Sequence, residues 1–307
     1  MGDEAQLGIG ERDANLPYSK GLMAQSLMAT GLSPERAYGL AAAVERWLTA
    51  SGRSALTFDD LRPIAEETLG AEAGEALMRR LEKWRRLRSL ERPLIILIGG
   101  TTGVGKSTLA AQVAHRLGII RVTSTDTVRQ VMRAFFSPQL MPAIHYSSFD
   151  CAEAVRIPVP EQTDLTRAGF IEQAKSVAVG IEALVGRAVQ ESQSLILEGV
   201  HLVPGYLDRG RWRNAVVIEF VLAVPDARRH RTHFTARDWQ TGGVRPLRRY
   251  LKHFDEIRRI QDYILARAEK HDVRVIANES IDDAVKEVMD EVLRVVGEHQ
   301  HVAAGAE

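Results

Sequence analysis

Cysteine is nearly missing from this chain: among 307 residues only Cys151 is present, so an internal disulfide and a cysteine-rich zinc site are both excluded. No charge of one sign dominates. Lys and Arg total 40 and Asp and Glu total 40, leaving no overall positive field to draw nucleic acid or an anionic membrane surface. A small-molecule partner is the simpler expectation. No apolar stretch approaches the roughly 20 residues that a membrane-spanning helix needs. The opening Met1-Gly2-Asp3-Glu4-Ala5-Gln6 has no basic or apolar leader-like region, and Gln6 stands where a myristoylation signal wants Ser or Thr. These absences lead us to expect a protein of the reducing cytoplasm, with homo-oligomerisation left open.

What is present falls into two patterns. Residues 1–16 are acidic and without apolar periodicity, which reads as a disordered tail, and 298–307 read likewise. From 17 to 92 apolar residues recur at helical spacing, as in Leu40, Val44 and Leu48 or Leu77, Leu81 and Trp84, and predict a small all-helical domain. Ser33-Pro34 and Thr57-Phe58-Asp59 are helix-start signals within it. The basic run Arg79 to Arg88 carries a buried stripe of Leu81, Trp84 and Leu87, so it reads as a solvated helix face rather than a nucleic-acid patch. From 93 to 297 five short apolar runs, Leu94–Ile98, Ile119–Ser124, Leu195–Leu197, Val216–Leu222 and Val273–Ile276, alternate with helical segments. That alternation predicts an α/β domain: a parallel five-stranded sheet of the phosphate-loop kinase type with helices on both faces.

After the first run comes Gly100-Thr101-Thr102-Gly103-Val104-Gly105-Lys106-Ser107, and Thr108 opens a helical pattern. This strand, loop and helix order, with G-x4-G-K-[ST] spacing, is that of a phosphate-binding loop. Its glycines let successive N–H groups turn inward around phosphate oxygens; Lys106 is expected at the β- and γ-phosphates and Ser107 in a Mg²⁺ shell. The chain is therefore expected to bind ATP with Mg²⁺. Glu198, at the end of the run Leu195–Leu197, is the carboxylate expected to order that ion, directly or through water.

Asp126 closes Ser124-Thr125-Asp126 at the carboxyl edge of the sheet, where it suits alignment or deprotonation of an acceptor hydroxyl and equally suits a helix cap. Arg129 and Arg133 stand at i, i+4 on the following helix, a spacing that suits an anionic acceptor. His145 and Ser147 lie in a proline-containing irregular stretch as candidate acceptor contacts, and His201 follows Glu198-Gly199-Val200 as another. An arginine-dense segment from Val224 to Arg249, broken by Gly242-Gly243, looks like a closing lid, with Arg231 and Arg237 preferred as the arginines that stabilise the transferred charge. His230 and His233, at i, i+3 without further ligands, are weak evidence for a metal site.

The order of these segments resembles the 2-phosphoglycerate kinase family from about Leu16 to Val296. The resemblance rests on Ile98 to Ser107, Thr125 to Arg133, His145 to Ser148, Glu198 to Gly205, His230 to Arg237 and Tyr250 to Tyr263. It departs at His233, where the family leads one to expect an arginine before Phe234. It implies transfer of the ATP γ-phosphate to the 3-hydroxyl of 2-phosphoglycerate, and the helical region from Leu16 looks like the ATP-cone-type domain that precedes the kinase in that family. A kinase of another phosphorylated or carboxylated polyol, and a nucleotide-dependent switch, are the alternatives the residues leave open.

Overall fold

A computed structural model describes residues 19–88, 90, 92–156, 160–240 and 247–304, with side chains described except at 25, 29, 83–88, 236–240 and 299–304. The tail expected at 1–16 lies outside these residues, as do Gly242, Gly243 and Arg245 of the expected lid. The chain divides into two compact units, residues 1–90 with 296–307, and residues 91–295.

The first unit holds four helices, α1 (Lys20–Ala29), α2 (Pro34–Ser51), α3 (Phe58–Leu69) and α4 (Ala71–Arg88). Ser33 caps α2 by accepting from the Arg36 N–H, with Pro34 in the first turn where its missing N–H costs nothing. Thr57 and Asp60 form a reciprocal capping box at α3. Leu27, Leu40, Val44, Leu61 and Leu77 are fully buried in the core of this unit, each contributing about 1.5 to 3 kcal/mol relative to exposure. Trp84 and Leu87, the other half of the stripe read on α4, have side chains outside the described set.

The second unit runs β1 (Leu94–Gly99), α5 (Lys106–Leu117), β2 (Val122–Ser124), α6 (Thr125–Phe135), two 3-10 turns (Pro142–His145 and Ser148–Ala154), α7 (Leu165–Gln190) and β3 (Leu195–Glu198). It continues through a 3-10 turn at Arg209–Trp212, β4 (Val216–Ala223), α8 (Ala227–Gln240), α9 (Leu247–Lys252), α10 (Phe254–Lys270), β5 (Arg274–Ala277) and the first part of α11 (Ile281–Ala304), whose residues from 296 on are counted with the first unit. The five strands are parallel in the order β2-β3-β1-β4-β5. All six residues of β1 are buried, which requires cover on both faces of the sheet. Among the described residues no helix is long and apolar enough to cross a membrane.

Three boundaries differ from the sequence pattern. The second strand is shorter than Ile119–Ser124, because its pairing with β3 begins only at the Arg121 carbonyl, 2.9 Å from the Ile196 N–H, and Ile120 stays 95% exposed on this edge. Helix α6 begins at Thr125 with Ser124 as its cap, so Asp126 sits on the first helical turn rather than at a strand end. Finally, α11 continues through Ala304, so residues 298–304 of the segment read as a tail are helical, beyond the point where the apolar pattern gives out.

From β1 the chain passes β3 to reach β2, whereas from β3 it passes β1 to reach β4. The carboxyl ends of β1 and β3 therefore flank the point where the winding direction reverses, which is where open α/β sheets bind ligands.

Candidate active site

Gly105 is the N-cap of α5 and no side chain caps it, which leaves the first N–H groups of the helix to an anion. Gly103 has φ 85°, and a methyl group there would collide with the Phe234 ring, so only glycine fits. Lys106 is buried, with Nζ donating to the Thr101 carbonyl at 2.7 Å. Burial lowers its pKa, while Glu198 and Asp126 work to raise it.

Register explains why Glu198 faces this loop. It pairs with Ile98 of β1 on one side and Ser124 of β2 on the other, so three strand ends bring the phosphate loop, a buried carboxylate and the start of α6 together. Ser107 Oγ donates to Glu198 Oε1 at 2.9 Å. Among the described residues no group of three His, Cys, Asp or Glu side chains is placed to hold a metal. A hydroxyl beside one carboxylate is nevertheless a hard-oxygen pair that fits Mg²⁺, which takes few protein ligands and completes its shell with phosphates and water.

The start of α6 is locked by a buried network. Gln173 Nε2 donates to the carbonyls of Ala143 (2.6 Å) and Tyr146 (3.0 Å), which directs its Oε1 to His201 Nε2 at 3.0 Å. That ring nitrogen must therefore donate, leaving Nδ1 to accept from the Thr125 hydroxyl at 2.8 Å. His201 is fully buried and its pKa is lowered to about 4, chiefly by burial, so it is neutral at ordinary pH. Gly199 fits beneath this network, since a methyl there would strike Thr125 Oγ1. The close approach that needs glycine is thus to Thr125.

Asp126, next along, accepts from Arg129 Nε at 3.2 Å. Burial opposes ionisation of its carboxyl, but His201, Arg129 and Lys106 outweigh that and hold the pKa below the ordinary value. Arg129 is buried and further fixed by NH1 bonds to the carbonyls of Ile144 (2.9 Å) and Tyr146 (3.0 Å). Among the described residues these three bonds leave NH2 uncommitted. Across the cleft, Arg249 NH2 donates to Asp150 Oδ2 (2.6 Å) and Ser147 Oγ (3.0 Å).

A cleft of about 1070 Å³ brings most of the sequence candidates together. Thr102, Gly103, Gly105, Lys106, Ser107 and Thr108 line one end, with Glu198, Asp126, Arg129 and Ser147 beyond them. Gly100, Thr101 and Val104 lie behind the loop surface rather than on it. Four expected contacts are not in the lining. Arg133 is turned to Gln130 Oε1 at 3.1 Å, His145 to the Phe136 carbonyl at 2.8 Å, and His201 is spent on the network above. Arg231 lies with its guanidinium 4.1 Å from the centre of the Phe254 ring. The Arg237 side chain is outside the described set. Arg249 and Asn278 line the cleft without a sequence assignment to it, and His233, weighed in the sequence only as a metal ligand, lines it as well.

No family model matches this chain. A 2-phosphoglycerate kinase from Methanopyrus kandleri is 39% identical over 289 residues, 94% of this chain and 88% of that protein. The chain belongs to the 2-phosphoglycerate kinase family. Similar proteins of the same name come from Methanothermobacter thermautotrophicus, 40% identical over 88% of this chain and 89% of its own, and from Pyrococcus horikoshii, 36% identical over 91% of each. Among solved structures, a gluconokinase from Sinorhizobium meliloti aligns with 69% of the chain and 98% of its own at TM-score 0.38 and 16% identity, which is too remote to bear on the assignment. Membership of a 2-phosphoglycerate kinase family makes the chain a kinase, with nucleotide-dependent phosphotransfer as its chemistry.

Proposed function

We propose that this chain transfers the γ-phosphoryl group of ATP to the free 3-hydroxyl of 2-phosphoglycerate, giving 2,3-bisphosphoglycerate. One observation carries the reading: a single cleft holds the phosphate loop with the Ser107–Glu198 pair at one end and Asp126 with Arg129 and Arg249 at the other. Phosphoryl transfer through a loose transition state asks a protein mainly to position groups and to offset charge on the equatorial oxygens. The loop N–H groups and Lys106 do this for the nucleotide phosphates. Ser107 and Glu198 would hold Mg²⁺, whose chemistry there is to neutralise phosphate charge.

Asp126 is ionised and accepts only, so it aligns the acceptor hydroxyl; a carboxyl with a lowered pKa is a weak base. The uncommitted NH2 of Arg129 and the remaining N–H groups of Arg249 suit the acceptor's carboxylate and phosphate. Arg249 takes the acceptor-binding place first given to Arg133.

The test is to supply Mg²⁺-ATP with 2-phosphoglycerate, 3-phosphoglycerate or glycerate and follow ADP release and product mass. A bisphosphorylated product formed fastest from 2-phosphoglycerate is expected. ADP release without a phosphorylated acceptor would fit a switch and sink the proposal; faster reaction with another acid would reassign the acceptor.

A further inference from the structure

The carbonyls of Thr101, Thr102, Gly103 and Val104 are consecutive, and each accepts a hydrogen bond from a different side chain. Lys106 Nζ reaches the first at 2.7 Å, His230 Nε2 the second at 2.9 Å, His233 Nδ1 the third at 3.0 Å and Asn278 Nδ2 the fourth at 2.8 Å. Because a peptide unit is planar and trans, anchoring one of these oxygens also fixes the direction of the N–H on the next residue, on the opposite side of the chain. The amides of Gly103 and Val104 are thereby oriented by the bonds to Thr102 and Gly103. Both of those bonds come from α8.

Their donors are defined without ambiguity, since a carbonyl oxygen only accepts. His230 must carry its hydrogen on Nε2 and His233 on Nδ1. The i, i+3 spacing places both rings on one face of α8. That face lies directly on the loop: the Phe234 ring stacks on His230, with centroids 5.3 Å apart, and is the same ring that forbids a side chain at Gly103. His230 is fully buried, its Nδ1 has no partner among the described residues, and burial lowers its pKa to about 4, so it bonds Thr102 as a neutral ring. Glycine-rich loops are free to turn their amides many ways, so something outside the loop has to select one.

We infer that His230 and His233 are positioning residues through which α8 aims the amides of the phosphate loop at the nucleotide. The inference rests on the nucleotide reading proposed above and adds to it the device that orders the site. It also gives the His-x-x-His pair of α8 a role that needs no metal, and links the helix that opens the arginine-dense segment to the phosphate end of the cleft.

The two rings donate from different atoms, and this gives a test. The amide nitrogen of Gln falls where His Nε2 lies, and that of Asn where His Nδ1 lies. His230→Gln and His233→Asn thus keep the donor, whereas His230→Asn and His233→Gln withdraw it. Affinity for Mg²⁺-ATP, measured on the full chain by titration calorimetry without acceptor, is expected to stay within about twofold of native in the first pair. It should weaken about five- to tenfold in the second, the loss of one hydrogen bond. The acceptor KM should change little throughout, and melting temperatures should be alike within each pair of variants.

Equal ATP affinity for Gln and Asn at both positions, or a rise in acceptor KM as large as the loss of ATP affinity, would overturn the inference. If the His230 variants fail to fold, the half-buried His233 decides the matter alone. A native chain that does not bind ATP would overturn the nucleotide reading and this inference with it; native binding with interchangeable amides overturns the inference only.

Discussion

The two ends of the cleft are built on opposite plans. On the proposed reading the phosphate-loop end works through backbone amides joined by Lys106, and side chains such as His230, His233 and Asn278 hold that backbone still. At the proposed acceptor end the working groups are long side chains held by their surroundings: carbonyls of Ile144 and Tyr146 fix Arg129, while the side chains of Asp150 and Ser147 fix Arg249. Amides on a planar chain suit an invariant ligand such as a phosphate chain. Guanidinium groups pinned on one side and open on the other can be repointed by changing their supports, which suits the end of a kinase that distinguishes one small acid from another.

The contrast predicts a graded series of effects. Lys106→Ala should lower turnover about a thousandfold at constant fold, because on the proposed reading it removes the charge that stabilises the nucleotide phosphates where water is scarce. Steady-state kinetics with circular dichroism checks this, and near-native turnover would remove the phosphate loop from the mechanism. Asp126→Asn should cost about a hundredfold in kcat while leaving ATP affinity unchanged. As Ser124 is the helix cap, little stability should go with it, and calorimetric melting on the same sample separates the two effects.

Next comes a test of the acceptor end alone. Arg249→Ala should raise the acceptor KM roughly tenfold or more and the ATP KM hardly at all, since a charge-assisted bond to an anion is worth about 1.5 to 3 kcal/mol. Arg133→Ala should leave both constants within about twofold, the range expected for a surface side chain. Equal effects of Arg249→Ala on both substrates would abolish the division between the ends.

A separate test concerns pH. His201 and His230 both have folded pKa values of about 4 against an ordinary 6.5. The unfolded chain therefore binds more protons between those values, and stability should fall as pH drops from about 6.5 towards 4. Melting temperature followed across that range tests it; His201→Gln should flatten the slope, and a native stability that rises on acidification would contradict both assignments.

How much of this was legible depended on whether a feature was local. The phosphate loop could be read because its residues are contiguous and its glycines fix its shape. The parallel sheet could be read because strands buried on both faces need unbroken apolar runs. On α6 the spacing of Arg129 and Arg133 correctly gave one face, but spacing does not say which turn of a helix meets the cleft, and only the first two turns do. His201 was read as an acceptor contact because it follows Glu198 closely; past Gly199 the chain turns inward, and the ring ends in the core. Arg249 stood in sight within an arginine-dense segment, yet nothing local distinguished it, since its partners Ser147 and Asp150 are 102 and 99 residues away. Asn278 reaches Val104 across 174 residues and left no mark in the pattern.

The network beneath α6 has a further consequence for how this sequence is free to drift. Two main-chain oxygens, which no substitution can remove, face Gln173, and from them the sense of every later link is dictated: amide, imidazole, hydroxyl. A glutamate at 173 would set its oxygens against those same carbonyls, and a valine at 125 would leave an imidazole nitrogen with nothing to accept. Positions 125, 173 and 201 are thus not independent letters. They form a short sentence with one grammatical order, and a lineage that rewrites one word has to rewrite the others with it.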